Sequence, residues 1–455
     1  MKLYPPRAGE ALFTKKQLTS LLIPLIMEQI FTSVIGMADS VMVAQVGESA
    51  MSGVSLVDSV NILLINIFAA LATGGTIITS QYLGRKDLEN ARASARQGIL
   101  ATVSLAGIIC IFCLFFRRGI LSFIFGAVEQ SVMENALVYF LITAMAYPFI
   151  ALFGSCSAIF RATGNAKLPM RVSLIMNVIN VCGNAVLIFV FNMGAAGAAL
   201  ATLASRIFAG VTMYIKLCSS ELDVNVRGLF SQGFDWKMIR RILGIGIPNG
   251  IENGIFQVGK VLVQSILSML GTNSIAAGAI AHHAATVIVM PGQAIGLGLV
   301  TVGGQCVGAG KYDQARRYAV GFTGLCEASI LVIGAALLIF MNAIISIFGV
   351  TAETAEIARS LISCTVIGAM ILWPLAFTLP NILRASGDVR FTMVISVFSM
   401  WAFRIGLGYI LAVPLNIGAP GIWYGMMVDW VFRTAAYVLR FAGEKWTRPR
   451  VLGAK

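Results

Sequence analysis

The sequence contains twelve runs of about 20 or more largely apolar residues, and this pattern limits the fold more than any other feature. One run of that length spans the hydrocarbon core of a bilayer as a helix. Composition agrees, since 58% of the 455 residues are hydrophobic, 12% are charged and the mean hydropathy is +0.86. A soluble domain has about twice that charged fraction. The pattern predicts an all-α membrane protein with twelve transmembrane helices near 18–45, 50–82, 98–116, 135–159, 169–191, 195–218, 240–269, 275–305, 318–341, 357–382, 391–413 and 418–441.

The net charge of +13 follows from where the basic residues lie. Of the 33 Lys and Arg residues, 26 fall in the terminal segments and in the loops on one side of the predicted spans. The opposite loops hold only three, and cytoplasmic loops are the ones that collect Lys and Arg. The sequence therefore predicts a multi-pass protein of the plasma (inner) membrane with both termini in the cytoplasm, a lipid bilayer as its surroundings and no nucleic-acid partner. The three basic residues of the opposite side are Arg117, Arg118 and Arg359.

The chain also repeats itself with an offset of 224 residues. The motif "RATG" at 161–164 is matched by "RASG" at 384–387, with an offset of 223. Six spans per half is an even number, so both halves enter the membrane from the same side as parallel repeats. We expect an N-lobe (1–225, helices 1–6) and a C-lobe (226–455, helices 7–12) around a central cavity. The residues repeated at 224 are Pro24, Glu28, Gly47, Gly74, Gln81, Gly84, Ala91 and Arg92, which recur as Pro248, Glu252, Gly271, Gly298, Gln305, Gly308, Ala315 and Arg316.

Ionisable residues inside the predicted spans are candidates for function, because each costs a few kcal/mol on insertion scales. Glu28 and Asp39 are 11 residues apart, which places them on one face of helix 1 but about 16 Å apart along it. Two acids on one inward stripe suit a pathway for protons or other cations. The alternative is that each carboxylate only forms hydrogen bonds to a neighbouring helix.

The second half contains a different set of ionisable residues. Glu252 is the repeat partner of Glu28, and Lys260 follows it by eight residues, about 80° around the helix, which disfavours a direct pair. Lys260 can neutralise a carboxylate of another helix, titrate itself or extend to the membrane surface. Asp58 corresponds to His282 in the repeat, and His283 adjoins it. We take Glu28, Asp58, Lys260, His282 and His283 as candidates for contact with substrate or for support of the site.

Uncharged amides form a further stripe on helix 5, where Asn177, Asn180 and Asn184 recur at helical spacing. They can hold helices together, or their carbonyl oxygens can complete a cation site. Asp429 and Arg433, at i and i+4, predict an ion pair within helix 12. No Walker motif, hydrolase motif or potassium-filter sequence is present, which argues against an ATP-driven pump, an enzyme or a channel.

Five segments, in this order, make the chain resemble the multidrug and toxic compound extrusion (MATE) family of ion-coupled antiporters. The resemblance extends over nearly the whole chain. It implies two six-helix lobes around a central cavity. The segments are "PLIMEQIFTSVIGMADSVMVAQVG", "SQYLGRKDLENAR", "FRATGNAKLPM", "GIPNGIENGIF" and "LRASGDVRFTM".

The resemblance implies a proton or Na⁺ site in the N-lobe at Asp39, Asn180, position 184, Thr202 and the backbone of Ala198. Many bacterial members have Asp at position 184, where this chain has Asn184, so a carboxylate is missing from the possible Na⁺ site. Glu252 matches the family's acid on helix 7, and the resemblance makes it a further candidate for coupling to H⁺ or Na⁺, but helix 10 lacks the acid that some members pair with it. Lys260, His282 and His283 alter the second lobe further.

These features together predict an antiporter that uses H⁺ or Na⁺ to export organic cations by alternating access. Asp39 is the first candidate for the residue that binds the coupling ion. We expect it to act as a monomer and to need no cofactor beyond the coupling ion. One alternative is a lipid-linked oligosaccharide flippase of the same superfamily, for which a more cationic cavity is expected. Another is a membrane-embedded enzyme or receptor, for which the sequence shows neither a nucleophile–base set nor a large extramembrane domain.

Overall fold

The computed structural model describes residues 11–126, 129–229, 233–448 and 451, and its helices match the twelve predicted spans. Lys2, Arg7, Arg450 and Lys455, which were counted toward the cytoplasmic side, lie outside the described residues. We number the long helices α1 to α12. They are α1 (Lys15–Ala44), α2 (Glu48–Gly84), α3 (Leu88–Phe125), α4 (Gln130–Ala162), α5 (Lys167–Val190), α6 (Gly194–Leu217), α7 (Trp236–Met269), α8 (Thr272–Gly308), α9 (Tyr312–Ile339), α10 (Ala352–Ala385), α11 (Val389–Ala412) and α12 (Ala419–Ala442), with a short helix (Met341–Ile347) before α10.

Most of these helices are suited to a bilayer by length and composition. Within the described residues, nine are long and apolar enough to span a membrane, namely all except α1, α7 and α12. Those three contain the ionisable residues Glu28, Asp39, Glu252, Lys260, Asp429 and Arg433. The chain is thus a multi-pass membrane protein, and the prediction of twelve helices is confirmed.

The backbone repeats along with the sequence. Gly47 and Gly271, 224 residues apart, both have positive φ, +134° and +93°, just before α2 and α8. Gly164 and Gly387, at the ends of "RATG" and "RASG", have φ of +86° and +89°. A side chain is strained in this region of φ, so glycine is required at the same turns of both halves.

Three of the helices change to π-helical geometry near polar residues. α5 does so at Ala185–Val190, directly after Asn184, and α10 does so at Pro374–Thr378. α11 is π-helical over Met400–Leu407, a segment that includes Arg404. Short π-helical segments are frequent at functional sites because they redirect side chains within a continuous helix. The sequence analysis did not predict them.

By contact the described chain divides into two compact units, Lys15–Gly250 and Ile251 onward, the latter together with the segment before Lys15. The first unit includes the start of α7 because α7 lies close to α2. A Cβ on Gly74 of α2 would be 2.7 Å from the carbonyl oxygen of Ile242 in α7. The division lies within a helix rather than in the connection before it. The lobe boundary at 225/226, which follows from the repeat, remains a prediction.

Small residues let helices approach within each unit, as is common in membranes. In the second unit, a Cβ on Gly425 of α12 would be 2.7 Å from the nitrogen of Gly408 in α11.

The segment before α1 also belongs to this unit. Its Phe13 N–H donates to the Tyr318 hydroxyl of α9 at 3.3 Å, and that hydroxyl donates to the Phe13 carbonyl at 3.1 Å.

The distribution of basic residues predicts opposite sides for two exposed glutamates. In a variant whose eight native cysteines are replaced, Glu129→Cys, before α4, should react with a membrane-impermeant thiol reagent added to intact cells. Glu221→Cys, between α6 and α7, should react only after the cells are permeabilised. Each substitution removes one carboxylate, so the pair is matched in charge. Labelling of Glu221→Cys in intact cells would contradict the predicted orientation.

Candidate functional site

Helices α1, α2, α4, α5 and α6 enclose a cavity of about 380 Å³ within the first unit. Six of the residues predicted for ion or substrate contact line it, so the structure brings them together. The cavity has a mixed lining, with Met51, Val54, Ile62, Ile65 and Ile150 among its apolar side chains. The predicted residues in its wall are Asp39, Asp58, Asn180, Asn184, Ala198 and Thr202.

The Asp39 carboxylate is held by two amides of α5. Asn184 Nδ2 donates to Asp39 Oδ1 at 2.8 Å. With its nitrogen turned toward Asp39, the Asn180 amide donates to Oδ1 at 2.9 Å and to Oδ2 at 2.7 Å, while its carbonyl accepts from Thr202 Oγ1 at 3.1 Å. We adopt this orientation because the reverse one would place the amide oxygen against only acceptors. The Asp39 carboxylate therefore links α1 to α5, and the Asn180 amide links α5 to α6 through Thr202.

One oxygen beside this carboxylate is unpaired among the described residues. Asn184 is 2% exposed, and its Oδ1 accepts no hydrogen bond from any of them. Leaving a buried polar atom unpaired costs roughly 1–3 kcal/mol. The atom lies on the same amide that contacts Asp39. Carboxylate, amide and hydroxyl oxygens are the ligands that hard cations prefer, and a proton needs only the carboxylate, so the residues present fit either ion.

A second carboxylate faces the same cavity from α2. Asp58 Oδ1 accepts from the Tyr139 hydroxyl at 3.2 Å and from Asn61 Nδ2 at 3.3 Å. The Tyr147 hydroxyl in turn donates to Asn61 Oδ1 at 2.7 Å. These donors are neutral, so they orient Asp58 without neutralising its charge.

Among the described residues that line the cavity, Arg206 is the one with a positively charged side chain. Its Nη1 atom donates to the Met176 sulfur at 3.3 Å. Two carboxylates and one guanidinium give the cavity a net negative charge when all three groups are ionised. A negatively charged cavity with apolar walls attracts cations that also have apolar parts.

Glu28 and Glu252 are not among the residues that line this cavity. Each forms an ion pair with an arginine of its own half. Glu252 Oε1 accepts from Arg384 Nη2 at 2.6 Å and from Ser396 Oγ at 2.6 Å. Glu28 Oε2 lies 3.5 Å from Arg161 Nη1. Since Glu28 and Glu252 are repeat partners, and so are Arg161 and Arg384, the Glu–Arg pair is duplicated.

The remaining candidates belong to the second unit and make contacts within it. Lys260 Nζ lies 5.2 Å from the centre of the Phe256 ring, a cation–π contact. The ring of His283 stacks on Phe348 with centroids 6.2 Å apart. His282 is exposed on α8. Asp429 and Arg433 form the predicted pair, with Arg433 Nε 2.7 Å from Asp429 Oδ1.

Several contacts were missed by reasoning from the sequence. Arg161 and Arg384 were visible as repeated residues beside repeated glutamates, so a search for charge pairs between repeated motifs would have found them. Tyr139, Tyr147 and Asn61 gave no such signal. Aromatic and amide residues are common in apolar helices, and their shared role depends on how α2 meets α4.

Comparison with known proteins gives one family. The family model described as MatE matches residues 24–186 and again residues 248–410, so the two matches begin 224 residues apart. Two curated relatives match nearly end to end. "Probable multidrug resistance protein NorM" of Thermotoga maritima is 26% identical, covering 96% of this chain and 94% of its own length. "Uncharacterized transporter YisQ" of Bacillus subtilis is 26% identical, covering 94% of each.

Solved structures share the fold. One described as "Crystal structure of MATE in the bent conformation" superposes with a TM-score of 0.85 at 19% sequence identity, covering 94% of both chains. This likeness concerns the arrangement of helices, and it agrees with the twelve-helix prediction.

The duplicated Glu–Arg pairs predict unequal losses of stability. Arg384→Gln leaves the buried Glu252, 8% exposed, without its closest charge, whereas Arg161→Gln breaks a longer contact. We expect Arg384→Gln to cost about 3 kcal/mol and Arg161→Gln about 1 kcal/mol or less. Thermal unfolding midpoints of the purified variants in detergent measure the difference.

The double variant Glu252→Gln/Arg384→Gln serves as the control, because two neutral amides can bond to each other. It should recover part of the loss seen in Arg384→Gln. Equal midpoints for Arg161→Gln and Arg384→Gln would contradict the inference that the shorter contact and the more buried carboxylate make the second pair contribute more to stability.

Proposed function

This chain belongs to the MatE family, and from that premise we propose that it is an ion-coupled antiporter that exports organic cations by alternating access. The observation behind the proposal is the cavity of about 380 Å³ that contains Asp39 and Asp58 opposite a single guanidinium. The family and the matched relatives consist of transporters, so the chain is a transporter and not an enzyme. The relative from Thermotoga maritima is named as a multidrug resistance protein, which supports drugs or toxins as the exported class.

Asp39 is the proposed coupling residue for either H⁺ or Na⁺. In its ionised form the carboxylate accepts from the Asn180 and Asn184 amides. A proton on Asp39 removes one of these acceptors, and a Na⁺ ion requires the amides to turn their oxygens inward. Either event breaks N–H···O bonds between α1 and α5, so ion binding changes how α1 packs against the cavity.

Antiport follows if the ion and the substrate compete for the same negative charge. A substrate cation is attracted to the cavity while Asp39 is ionised. Proton or Na⁺ binding neutralises that carboxylate and lowers the affinity for the cation. By linkage, bound substrate lowers the affinity for the ion by the same factor. An inward ion gradient then drives substrate outward.

The apolar part of the lining supports amphipathic substrates. Aliphatic and aromatic side chains provide area for the body of an organic molecule, and the carboxylates orient its charged end. The distribution of basic residues supports placement in the plasma membrane with both termini in the cytoplasm. We propose that the protein works as a monomer, because the cavity is complete within one chain.

Replacing the coupling carboxylate tests the mechanism. Asp39→Asn keeps the size and hydrogen-bonding ability of the side chain but removes its charge. We expect ion-driven efflux to fall to background while expression is retained. Efflux from cells and from proteoliposomes measures this.

Asp223→Asn, in the connection before α7, is the matched control and should transport normally. Normal ion-driven efflux by Asp39→Asn in proteoliposomes would overturn the role of Asp39.

Imposed gradients identify the coupling ion. Proteoliposomes loaded with a cationic dye receive an inward pH gradient or an inward Na⁺ gradient, each applied separately. We expect one of the two gradients to drive dye export, because Asp39 can accept either ion. Liposomes without protein provide the background rate.

If neither gradient supports transport of a cationic dye, the antiporter proposal fails and the flippase alternative leads. The positive residues Lys260, Arg404 and Arg433 of the second unit are the specific observation in favour of that alternative.

A further inference from the structure

We propose that the second unit contains a binding site for an oxyanion, a carboxylate or phosphate group, formed by Lys260 and Arg404 with Arg433 behind them. This site goes beyond the proposed cation export and does not depend on it. It lies at the positions of the repeat that correspond to the acidic cavity of the first unit.

The repeat relates the two places. Adding 224 to Gly36 and Asp58, which line the cavity of the first unit, gives Lys260 and His282. Arg404 lies on α11, the helix that corresponds to α5, which carries Asn180 and Asn184. A glycine and an acid are thus replaced by a cation and an imidazole, and α11 adds a second cation where α5 carries uncharged amides. The corresponding helices therefore present negative charge in the first unit and positive charge in the second.

Three cations surround one aromatic ring at this locus. Phe256 on α7 has Lys260 Nζ 5.2 Å, Arg404 Cζ 5.3 Å and Arg433 Cζ 5.9 Å from its centre. Close packing of α7 on α11 brings them together, since a Cβ on Gly259 would collide with the Met400 side chain. Ring contacts stabilise each cation modestly, but the three positive charges still repel one another.

A single carboxylate balances this group within the described residues. Asp429, fully buried, lies 2.7 Å from Arg433 Nε and 3.0 Å from Arg404 Nη2. The nearby Glu252 is already bound by Arg384. Lys260, Arg404 and Arg433 against Asp429 leave an excess of two positive charges when all are ionised, and buried charge of one sign is costly until it is paired.

Arg404 has a buried N–H group without an acceptor among the described residues, whereas the Nε and Nη2 groups of Arg433 both donate hydrogen bonds. Arg433 also donates to Ser399 Oγ at 2.9 Å and to the Ser396 carbonyl at 2.9 Å. Arg404 is only 8% exposed, yet its Nε has no hydrogen-bond partner in the described part of the chain. A buried guanidinium with a free donor is satisfied by an added acceptor.

The donors at this place fit an oxyanion better than a halide. A guanidinium presents a planar fork that matches two oxygens of a carboxylate or phosphate, and an ammonium adds a compact charge. Lys260 is exposed, so its ammonium group is not enclosed by the protein. A solute oxyanion and the phosphate of a lipid headgroup share this chemistry, and the experiment separates the two sources.

Binding to the purified full-length protein in neutral detergent tests the site. Calorimetric titrations use inorganic phosphate, citrate and chloride at matched ionic strength, and a short-chain phosphatidic acid against phosphatidylcholine. We expect saturable binding of at least one oxyanion probe and none of chloride or phosphatidylcholine. Binding of phosphate or citrate indicates a solute site, and binding of phosphatidic acid alone indicates a headgroup site.

Lys260 variants provide the decisive comparison, because this exposed side chain can be changed without breaking the Asp429 pairs. Lys260→Gln should weaken binding about tenfold or more, since a charge-assisted hydrogen bond contributes at least about 1.5 kcal/mol. Lys260→Arg should retain binding. Lys237→Gln, on the exposed start of the same helix, is matched in charge and should bind as the unchanged protein does.

The proposal is overturned if no oxyanion probe binds, if chloride binds equally well, or if Lys260→Gln binds with unchanged affinity. It is also overturned if Lys237→Gln weakens binding as much as Lys260→Gln, because the effect is then one of net charge alone. None of these results bears on efflux of cations, so failure here leaves the antiporter proposal to its own tests.

Discussion

The cost of placing charge in a bilayer governs this structure more than any other interaction. Membrane-spanning helices exclude ionisable groups unless each has a partner or a function. The described spans satisfy this condition in two ways: Glu252 with Arg384 and Asp429 with Arg433 form close pairs, while Asp39 is held by neutral amides. The pairs fix helices in place. The carboxylate held by neutral amides is the one to which we assign the proposed coupling role, because an ion could replace its amide donors.

Duplication has produced two copies of one helical plan with different electrostatics. The turns after α1 and α7 keep glycines of positive φ, and the Glu–Arg pair occurs twice. The polar contents diverge, because the positions of Gly36 and Asp58 hold Lys260 and His282 in the second half, and α11 carries Arg404 where α5 carries amides. Backbone geometry is constrained by packing along whole helices, whereas a pocket residue needs only suitable neighbours. One fold can thereby present an acidic and a basic locus in the same chain.

The predicted helices agree with the structure where the prediction rests on the length of an apolar run. They deviate at helix ends and at π-helical segments, which apolar length does not indicate. The third span was expected at 98–116, yet α3 extends from Leu88 to Phe125 because polar residues continue the helix beyond the apolar run. The Asn stripe on helix 5 correctly placed Asn180 and Asn184 on one face, and that face meets Asp39. The π-helical segments left no trace in the periodicity, since one extra residue per turn over a few residues does not alter an apolar pattern.

The sequence by itself determined the membrane location, the twelve spans, the duplication and the short set of ionisable residues within the spans. These properties depend on transfer energies and helical periodicity, which act over neighbouring residues. Only the tertiary structure decided the partners: Asn184 for Asp39, Tyr139 for Asp58, Arg384 for Glu252, and one Phe256 ring for three cations. Each of these contacts joins different helices. Their distances depend on how whole helices pack, and no local pattern encodes that packing.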